Sequence, residues 1–303
     1  MKKGVWLGIG AYATWGLFPI YWKWLHQVPA LQLLAHRIFW SFLLLAIVIS
    51  VVRQWRAFRA EAWHGRTLRL YFVAAVLLSI NWLTYVWAVN ADYIVETSLG
   101  YFINPLLSVL LGVIILHEHL RRVQWIAVGL AAAGVIYLTL AYGAPPWIAL
   151  TLAFSFGLYG FVKKTAPLGA LHGLTLETAI LFVPMLLYLI FVEVRGEGVF
   201  LHTDAVSTLL MIGAGLVTVI PLLMFASAVR LIPLSLIGIL QYIAPTLQFL
   251  IGVLIFKEPF TPTQLIGFGL VWLALIIFTS ESLWTRRQAA LRLAEVKLLT
   301  KNE

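Results

Sequence analysis

Four ionisable side chains interrupt long apolar runs of the sequence. Arg37 lies a few residues inside one run, Asp92 and Glu96 lie at the start of another, and Glu177 opens a third. If these runs cross a membrane, a central charge costs roughly 2.5–3.5 kcal/mol, so each is a functional candidate. We predict that Arg37 takes part in charge recognition. We predict that Glu96 binds the solute or exchanges protons, because dehydration raises the pKa of a carboxyl group. The alternatives are that Arg37 snorkels or pairs with Glu96 or Asp92, and that both glutamates are structural.

A second group of polar residues within the apolar runs carries no charge. Its members are carboxamide and phenol side chains, namely Asn81, Tyr85, Tyr101, Asn104, Gln241 and Tyr242. Three of them lie just before Pro105 or Pro245. Because proline leaves the carbonyl one turn earlier without its helical donor, a helix can kink there and present polar groups to a cavity. The spacing predicts a polar, aromatic-lined cavity, and the alternative is hydrogen bonding between tightly packed helices.

Motifs for catalysis and metal binding are absent from the sequence. There is no cysteine, which excludes thiolate nucleophiles and Cys-ligated metals. His117-Glu118-His119 lacks the His-Glu-x-x-His spacing of zinc proteases, and no phosphate-binding loop or Rossmann fingerprint is found. We therefore predict a protein that is not an enzyme and that uses no metal and no cofactor.

The composition indicates the environment that must hold these residues. Of the 303 residues, 62% are hydrophobic and 11% are charged, and the mean hydropathy is +0.96. Soluble domains carry about 25% charged residues, and a soluble fold of this size could not hide so much apolar surface. This excludes a soluble enzyme, a nucleic-acid-binding domain and a disordered chain, despite a formal net charge of +9. The sequence predicts an all-α polytopic membrane protein.

Ten apolar runs follow one another along the chain, each about as long as a membrane-spanning helix of roughly 20 residues. They lie at about 4–22, 33–52, 70–90, 93–116, 123–141, 146–162, 174–192, 206–228, 234–256 and 263–281. The third and fourth runs are separated by little more than Asn90-Ala91-Asp92, which we interpret as a turn. The pattern therefore predicts ten transmembrane helices, of which the first is an uncleaved helix rather than a signal peptide.

The positions of Lys and Arg predict the orientation of these helices. With the N-terminus inside, nearly all of the 21 Lys and Arg residues fall in cytoplasmic segments. Only Lys23, Arg195 and Lys257 fall outside, and Arg37 lies within the second run. Cytoplasmic loops of membrane proteins are enriched in Lys and Arg, so both termini are predicted to be cytoplasmic.

The two halves of the chain resemble each other at an offset of 140 residues. The residues Pro105, Gly112, Glu118, Gln124 and Gly129 recur as Pro245, Gly252, Glu258, Gln264 and Gly269. Because five helices per unit is an odd number, the second unit is predicted to be inverted, as in many alternating-access carriers. We assign residues 1–141 to the first five-helix repeat, 142–284 to the second, inverted repeat, and 285–303 to a basic cytoplasmic tail.

Several ordered motifs resemble those of a known family. The second helix contains Ala35-His36-Arg37-Ile38-Phe39-Trp40-Ser41, and the third contains Asn81-Trp82 and Tyr85-Val86-Trp87. The fourth contains Gly100-Tyr101-Phe102-Ile103-Asn104-Pro105, and the ninth contains Leu240-Gln241-Tyr242-Ile243-Ala244-Pro245. Together these motifs resemble the RarD branch of the EamA-type transporters, in the drug/metabolite transporter superfamily. The resemblance extends to about residue 284.

This resemblance implies a ten-helix carrier of the bacterial inner membrane, with two inverted repeats around a central cavity. The broader family exports metabolites, amino acids or drugs, and the RarD branch is associated by name with chloramphenicol sensitivity. One departure is Gln32, where the family pattern leads us to expect an acidic residue that would support Arg37 or couple protons.

We interpret the sequence as a secondary active transporter or facilitator that moves a small metabolite or drug-like solute by alternating access, with export as the direction. Its predicted substrate-binding or coupling residues are Arg37, Glu96, Asn81, Tyr85, Tyr101, Asn104, Gln241 and Tyr242. Protons are the candidate coupling ion. The tail, residues 285–303, is predicted to be either an interfacial helix on anionic membrane lipids or a solvated basic segment. The alternatives are a passive channel and an intramembrane enzyme acting on lipid-linked substrates.

Overall fold

The computed structural model describes residues 2–90, 94–142, 147–255, 257 and 261–299. This part of the chain is all-α. Its helices, numbered in chain order, are α1 (Lys2–Gly16), α2 (Phe18–Lys23), α3 (Ala30–Val51), α4 (Trp55–Ala62), α5 (Gly65–Asn90), α6 (Ile94–Ile114), α7 (Arg122–Tyr142), α8 (Trp147–Thr165), α9 (Ala170–Val194), α10 (Ala205–Leu231), α11 (Leu234–Gln241), α12 (Ile243–Leu254) and α13 (Pro262–Leu299). The predicted all-α class is confirmed.

Each predicted apolar run coincides with one helix or with a broken pair of helices. The first run forms α1 and α2, and the ninth forms α11 and α12. Within the described ranges, six helical segments are long and apolar enough to cross a membrane: Ala30–Val51, Gly65–Tyr85, Arg122–Ala141, Ala170–Val194, Ala205–Leu231 and Leu234–Ile251. The protein is thus of the multi-pass membrane type, and the count of ten spans stays a prediction.

Two helical features differ from the expected pattern. Helix α4 was not predicted, because it is only eight residues long and strongly amphipathic, with Phe58 buried and Arg56 and Arg59 in solvent. A search for continuous apolar runs cannot detect such a helix. Helix α13 is 38 residues long and continues without a break through the predicted tail as far as Leu299.

The chain forms two compact units, which combine segments from both predicted repeats. One unit comprises residues 1–118 and 145–259, and the other comprises residues 119–144 and 260–303. In the smaller unit α7 packs on α13, and a Cβ atom at Gly134 would lie only 2.9 Å from the carbonyl oxygen of Gly267. Such close backbone approach at small residues is typical of helix packing in membranes. The repeat boundaries stay a prediction, because helix packing does not report sequence symmetry.

Glycines also permit close packing within the larger unit. A Cβ atom at Gly4 of α1 would lie 2.8 Å from side-chain atoms of Leu231 and Ile232. A Cβ atom at Gly157 of α8 would lie 2.8 Å from a methyl carbon of Leu107 on α6. These contacts place α1 against α10 and α8 against α6, and so bring helices of both predicted repeats together.

The break between α1 and α2 is caused by Pro19, which lies in the first turn of α2. Since proline has no N–H group, the carbonyl of Trp15, four residues earlier, loses its helical donor. The side chain of Gln248 replaces that donor, and its Nε2 lies 3.1 Å from the Trp15 carbonyl oxygen. A proline in one predicted repeat is thereby compensated by a carboxamide from the other.

The N-terminus of α10 is fixed by Asp204. Its carboxylate accepts hydrogen bonds from the Ser207 hydroxyl at 2.6 Å and from the Ser207 backbone N–H at 2.9 Å. These two bonds favour the ionised form and hold the pKa of Asp204 below its ordinary value. The cap defines where α10 begins, and therefore which of its residues face α3.

Candidate functional site

One cavity in the larger unit brings most of the predicted site residues together. The cavity is partly open, and its residues surround about 690 Å³ that no protein atom occupies, open solvent included. Helices α1, α2, α3, α5, α6, α8, α11 and α12 contribute its walls. The lining residues are Tyr12, Trp15, Phe18, Trp22, Arg37, Asn81, Trp82, Tyr85, Tyr101, Asn104, Phe156, Gln241, Ala244, Pro245 and Gln248.

Arg37 is the charged group of this cavity and is only 6% exposed. Its guanidinium contacts two indole rings, with Cζ 4.7 Å from the ring centroid of Trp22 and 4.5 Å from that of Trp82. Its Nε donates a hydrogen bond to the Thr218 hydroxyl at 3.1 Å. Cation–π contacts and one neutral acceptor hold the orientation of Arg37 without neutralising its charge.

The contact between α3 and α10 determines the position of Thr218. A Cβ atom at Gly215 would lie 2.6 Å from both the carbonyl carbon and the Cβ of Trp40, so only glycine allows this approach. The Ser41 hydroxyl also contacts the Gly215 carbonyl oxygen, at 3.4 Å. Thr218 follows one helical turn later on the same face of α10, where it meets Arg37.

The carboxamides of the cavity divide into bonded and unbonded groups. Asn81 donates to the Leu152 carbonyl at 3.0 Å and to the Ser155 hydroxyl at 3.1 Å, which joins α5 to α8. Gln241 accepts a long bond of 3.5 Å from Ser108. In contrast, the Oδ1 atom of Asn104 is buried and has no hydrogen-bond partner among the described residues. This oxygen lies beside α8, where a Cβ atom at Gly157 would be 3.5 Å from it.

Aromatic rings form most of the remaining wall. Tyr85 and Tyr101 meet edge to face with centroids 5.7 Å apart, and Trp15 meets Phe156 in the same way at 5.6 Å. Edge-to-face pairs fix ring orientations. The walls thus present flat apolar surfaces next to one cation and several amides, which is a donor and acceptor set for an organic solute.

A second buried polar cluster lies outside the cavity, between α5, α8 and α9. Lys163 pairs with Glu177 at 2.8 Å, and the two side chains are 3% and 0% exposed. Tyr159 donates to the other carboxylate oxygen at 3.1 Å, and the ring of Tyr71 lies 5.3 Å from the ammonium group. Helix packing thus buries Glu177 together with its counter-charge.

Three further charged residues bind backbone groups near this cluster. Lys164 donates to the carbonyl of Ile232 at 2.6 Å, and Arg230 donates to two carbonyls that follow α8, at 2.7 and 2.9 Å. The carboxylate of Glu118 accepts the first two backbone N–H groups of α11, at 2.6 and 2.8 Å. We call these residues, together with Lys163 and Glu177, the charged network. It links α8, α9, α10 and α11 at one end of the larger unit.

In the described ranges, no group of three or more His, Cys, Asp or Glu side chains could hold a metal ion.

The sequence profile of the EamA-like transporter family matches the chain over residues 2–140 and again over residues 146–280. Protein RarD of Streptomyces exfoliatus is 45% identical over 292 residues, covering 96% of this chain and 93% of that protein. The chain belongs to the RarD branch of the EamA family.

Other relatives of this EamA-family transporter agree with the assignment. The protein named uncharacterized transporter YojE of Bacillus subtilis (strain 168) is 47% identical over 291 residues, covering 94% of this chain and 96% of the relative. A crystal structure that is 19% identical superimposes with a TM-score of 0.67, covering 92% of this chain and 97% of the other. The first comparison indicates a membrane transporter, and the second supports the fold alone.

The structure brings six of the eight predicted site residues to this EamA-family cavity: Arg37, Asn81, Tyr85, Tyr101, Asn104 and Gln241. Tyr242 lies behind the wall rather than in it. Its ring is 1% exposed, packs against Phe102, and has a hydroxyl that donates to the Phe102 carbonyl at 3.3 Å. The side chain of Glu96, and Asp92 entirely, lie outside the described residues.

Sequence reasoning missed Trp22, Thr218 and Tyr12 as parts of this site. Tryptophan is common at membrane interfaces, so Trp22 carried no separate signal. Thr218 is one hydroxyl in a long apolar helix, and its role depends on the approach of α10 to α3. Only tertiary packing reveals that these side chains surround Arg37 and its cavity.

Gln32 also has a structural role. Its Nε2 donates to the Glu197 carbonyl at 2.7 Å, and its Oε1 accepts from the Val199 backbone N–H at 3.1 Å. An amide can satisfy both partners, whereas an ionised carboxylate could not donate to a carbonyl. This residue therefore holds the segment after α9 instead of supporting Arg37.

Proposed function

We propose that this transporter is a secondary carrier or facilitator that binds one small solute in the Arg37 cavity. The observation that carries the proposal is that one cavity is lined both by a buried cation, Arg37, and by Asn104, whose amide oxygen has no hydrogen-bond partner among the described residues. Buried ionisable groups in membrane helices are expensive and typically mark solute pathways.

Two inverted five-helix repeats, at residues 1–141 and 142–284, are proposed as the basis of alternating access. The double match of the family profile, to residues 2–140 and 146–280, supports this division. Helices from both proposed repeats line the cavity, including α3 with Arg37 and α11 with Gln241. Solute sites at a repeat interface are typical of such carriers. The inner-membrane location and the cytoplasmic termini belong to the same proposal.

In the proposed topology, the charged network closes the cytoplasmic end of the pathway. Lys163 and Lys164 lie in the last turn of α8, and α9 and α11 begin at this same end. The cavity residues lie further along these helices, toward the proposed outer face. The described conformation is then closed inside, and opening requires that the network separate.

Proton coupling would need a carboxyl group that meets the pathway. Glu96 is the proposed group in α6, and Glu177 is a second carboxyl group that is buried against Lys163.

Export is the proposed direction of transport. The names of the relatives favour a transporter over an intramembrane enzyme, and a passive channel is separated from a carrier by the measurement below.

A thermal-shift screen followed by flux measurement tests this function. Purified protein in detergent is screened against metabolites and amphenicol drugs, because a ligand that binds only the folded state raises its stability. The compound with the largest saturable shift is then measured in proteoliposomes. We expect unlabelled compound in the lumen to accelerate entry of labelled compound. Flux that is insensitive to the luminal compound would indicate a channel and would contradict the carrier.

A further inference from the structure

The electrostatics of the cavity are one-sided. Among its described lining residues, Arg37 is charged and the rest are aromatic, amide or aliphatic, with no carboxylate. The contacts of the guanidinium are the neutral Thr218 hydroxyl and two indole faces. Within the described ranges, which leave out Asp92 and the side chain of Glu96, no counter-charge contacts Arg37. A buried cation without a counter-charge is unfavourable in a low-dielectric site. A solute that carries a negative charge would remove this penalty, whereas a cationic solute would increase it.

The shape of the guanidinium adds geometry to this preference. Its five N–H donors lie in one plane, and Nε already donates to Thr218. The rings of Trp22 and Trp82 lie 4.7 and 4.5 Å from its Cζ, and its terminal N–H groups make no hydrogen bond to a described residue. An edge of parallel N–H groups matches the two oxygens of a carboxylate better than a single acceptor.

The walls next to this edge are flat and apolar. The ring pairs Tyr85–Tyr101 and Trp15–Phe156 meet edge to face and contribute aromatic surfaces to the cavity lining. Such surfaces pack best against a flat apolar body, because aromatic contacts depend on ring orientation. An extended, strongly hydrated solute would leave these walls without contact.

Two unbonded polar atoms specify a further feature of the solute. The Asn104 Oδ1 atom and the Tyr12 hydroxyl are buried without a hydrogen-bond partner in the described part of the chain, and both residues line the cavity. The amide oxygen can only accept, so it calls for an N–H or O–H donor. Buried polar groups are nearly always bonded in a native complex.

We propose that the solute is an organic anion with a flat apolar body, whose carboxylate meets the edge of Arg37 and whose hydroxyl or amine donor meets Asn104. The inference rests on the proposed function of the Arg37 cavity as the solute site. It names a substrate class, which the carrier mechanism by itself does not.

A series of compounds with one ring and different charges tests the class. Binding to purified protein is measured by calorimetry for 4-hydroxybenzoate, 4-hydroxybenzamide and 4-hydroxybenzylamine. We expect the carboxylate to bind at least about tenfold more tightly than the amide, since charge-assisted bidentate bonds are the strong ones, and the amine not to bind. Equal or tighter binding of the amide or the amine, or no binding of all three, would overturn the proposal.

A second comparison tests the donor contact. Benzoate, which lacks the hydroxyl, is measured beside 4-hydroxybenzoate on the wild-type protein and on Asn104→Leu. We expect the ratio of the two affinities, which favours 4-hydroxybenzoate on the wild-type protein, to fall to about one on Asn104→Leu, because a double-mutant cycle isolates the contact between the residue and the hydroxyl. An equal loss for both compounds would refute the Asn104 contact. If another compound shows accelerated exchange while these anions do not bind, the carrier stands and only the substrate class fails.

Discussion

Arg37→Gln is expected to weaken solute binding and transport strongly while leaving the protein folded. Among the described residues the partners of Arg37 are a neutral hydroxyl and two indole rings, so removing its charge leaves none of these partners with an unpaired charge. A charge-assisted hydrogen bond contributes about 1.5–3 kcal/mol, so solute affinity should fall by about 10- to 150-fold. The Tm without solute should change by less than about 4 °C, which corresponds to about 1 kcal/mol. Calorimetry and a thermal melt measure the two quantities.

Two variants serve as controls for Arg37→Gln. Arg37→Lys keeps the charge but loses the planar fork, and should retain part of the affinity. Arg195→Gln removes an exposed arginine outside the cavity and should leave binding unchanged. A Tm loss in Arg37→Gln of more than about 10 °C with unchanged solute affinity would show that Arg37 is structural.

Glu177→Gln is expected to destabilise the protein more than any other single charge removal considered above. It leaves the ammonium group of Lys163, which is 3% exposed, without its counter-charge. Breaking a buried ion pair from one side costs about 3–5 kcal/mol, and the Tm should fall by about 10 °C. The Tyr159 hydroxyl also loses a charged acceptor. The measurement is a thermal melt of protein purified in the same detergent as wild type.

A double substitution and an exposed pair complete this test. Lys163→Met with Glu177→Leu should recover most of the lost stability, because apolar residues of similar volume often replace a buried pair without loss. Glu193→Gln breaks the exposed pair with His202, in which both side chains are more than half exposed, and should cost less than about 1 kcal/mol. Equal Tm losses in Glu177→Gln and Glu193→Gln would contradict the structural importance of the buried pair.

Much of the site could be predicted because polar residues in apolar helices carry a strong signal. Arg37, Asn81 and Asn104 stand out against their neighbours, and each incurs an energetic penalty in lipid unless it has a partner or a function. The prolines at 105 and 245 add a local reason for polar groups nearby. These arguments need only chain position and residue type, and the residues that they select line one cavity in the structure.

Other features depend on contacts between distant segments. Lys163 lies at the end of an apolar run, where positively charged residues usually meet cytoplasm. Its burial follows from the packing of α9 against α8 and from Glu177, which no sequence period reveals. Thr218 and Trp22 likewise gain their roles from helices that meet in space. Tyr242 precedes a proline as Asn104 does, yet its helix turns the ring away from the cavity.

Thiol labelling of Ala244→Cys from each side of the membrane tests alternating access most directly. The chain has no cysteine, so the variant carries a single thiol, and Ala244 lines the cavity. A membrane-impermeant maleimide is applied to right-side-out and inside-out vesicles, with Ala74→Cys, a fully buried core position, as the unlabelled control.

The account predicts that labelling of Ala244→Cys is faster from the outer side in the otherwise wild-type protein. Adding Glu177→Gln leaves the Lys163 ammonium group without its counter-charge and so weakens the charged network. It should raise labelling from the cytoplasmic side while lowering it from the outer side. Such a reciprocal change indicates one equilibrium between an outward-open and an inward-open state. Labelling that rises from both sides together, or that does not respond to Glu177→Gln, would contradict a carrier in which the charged network closes one end of the Arg37 cavity.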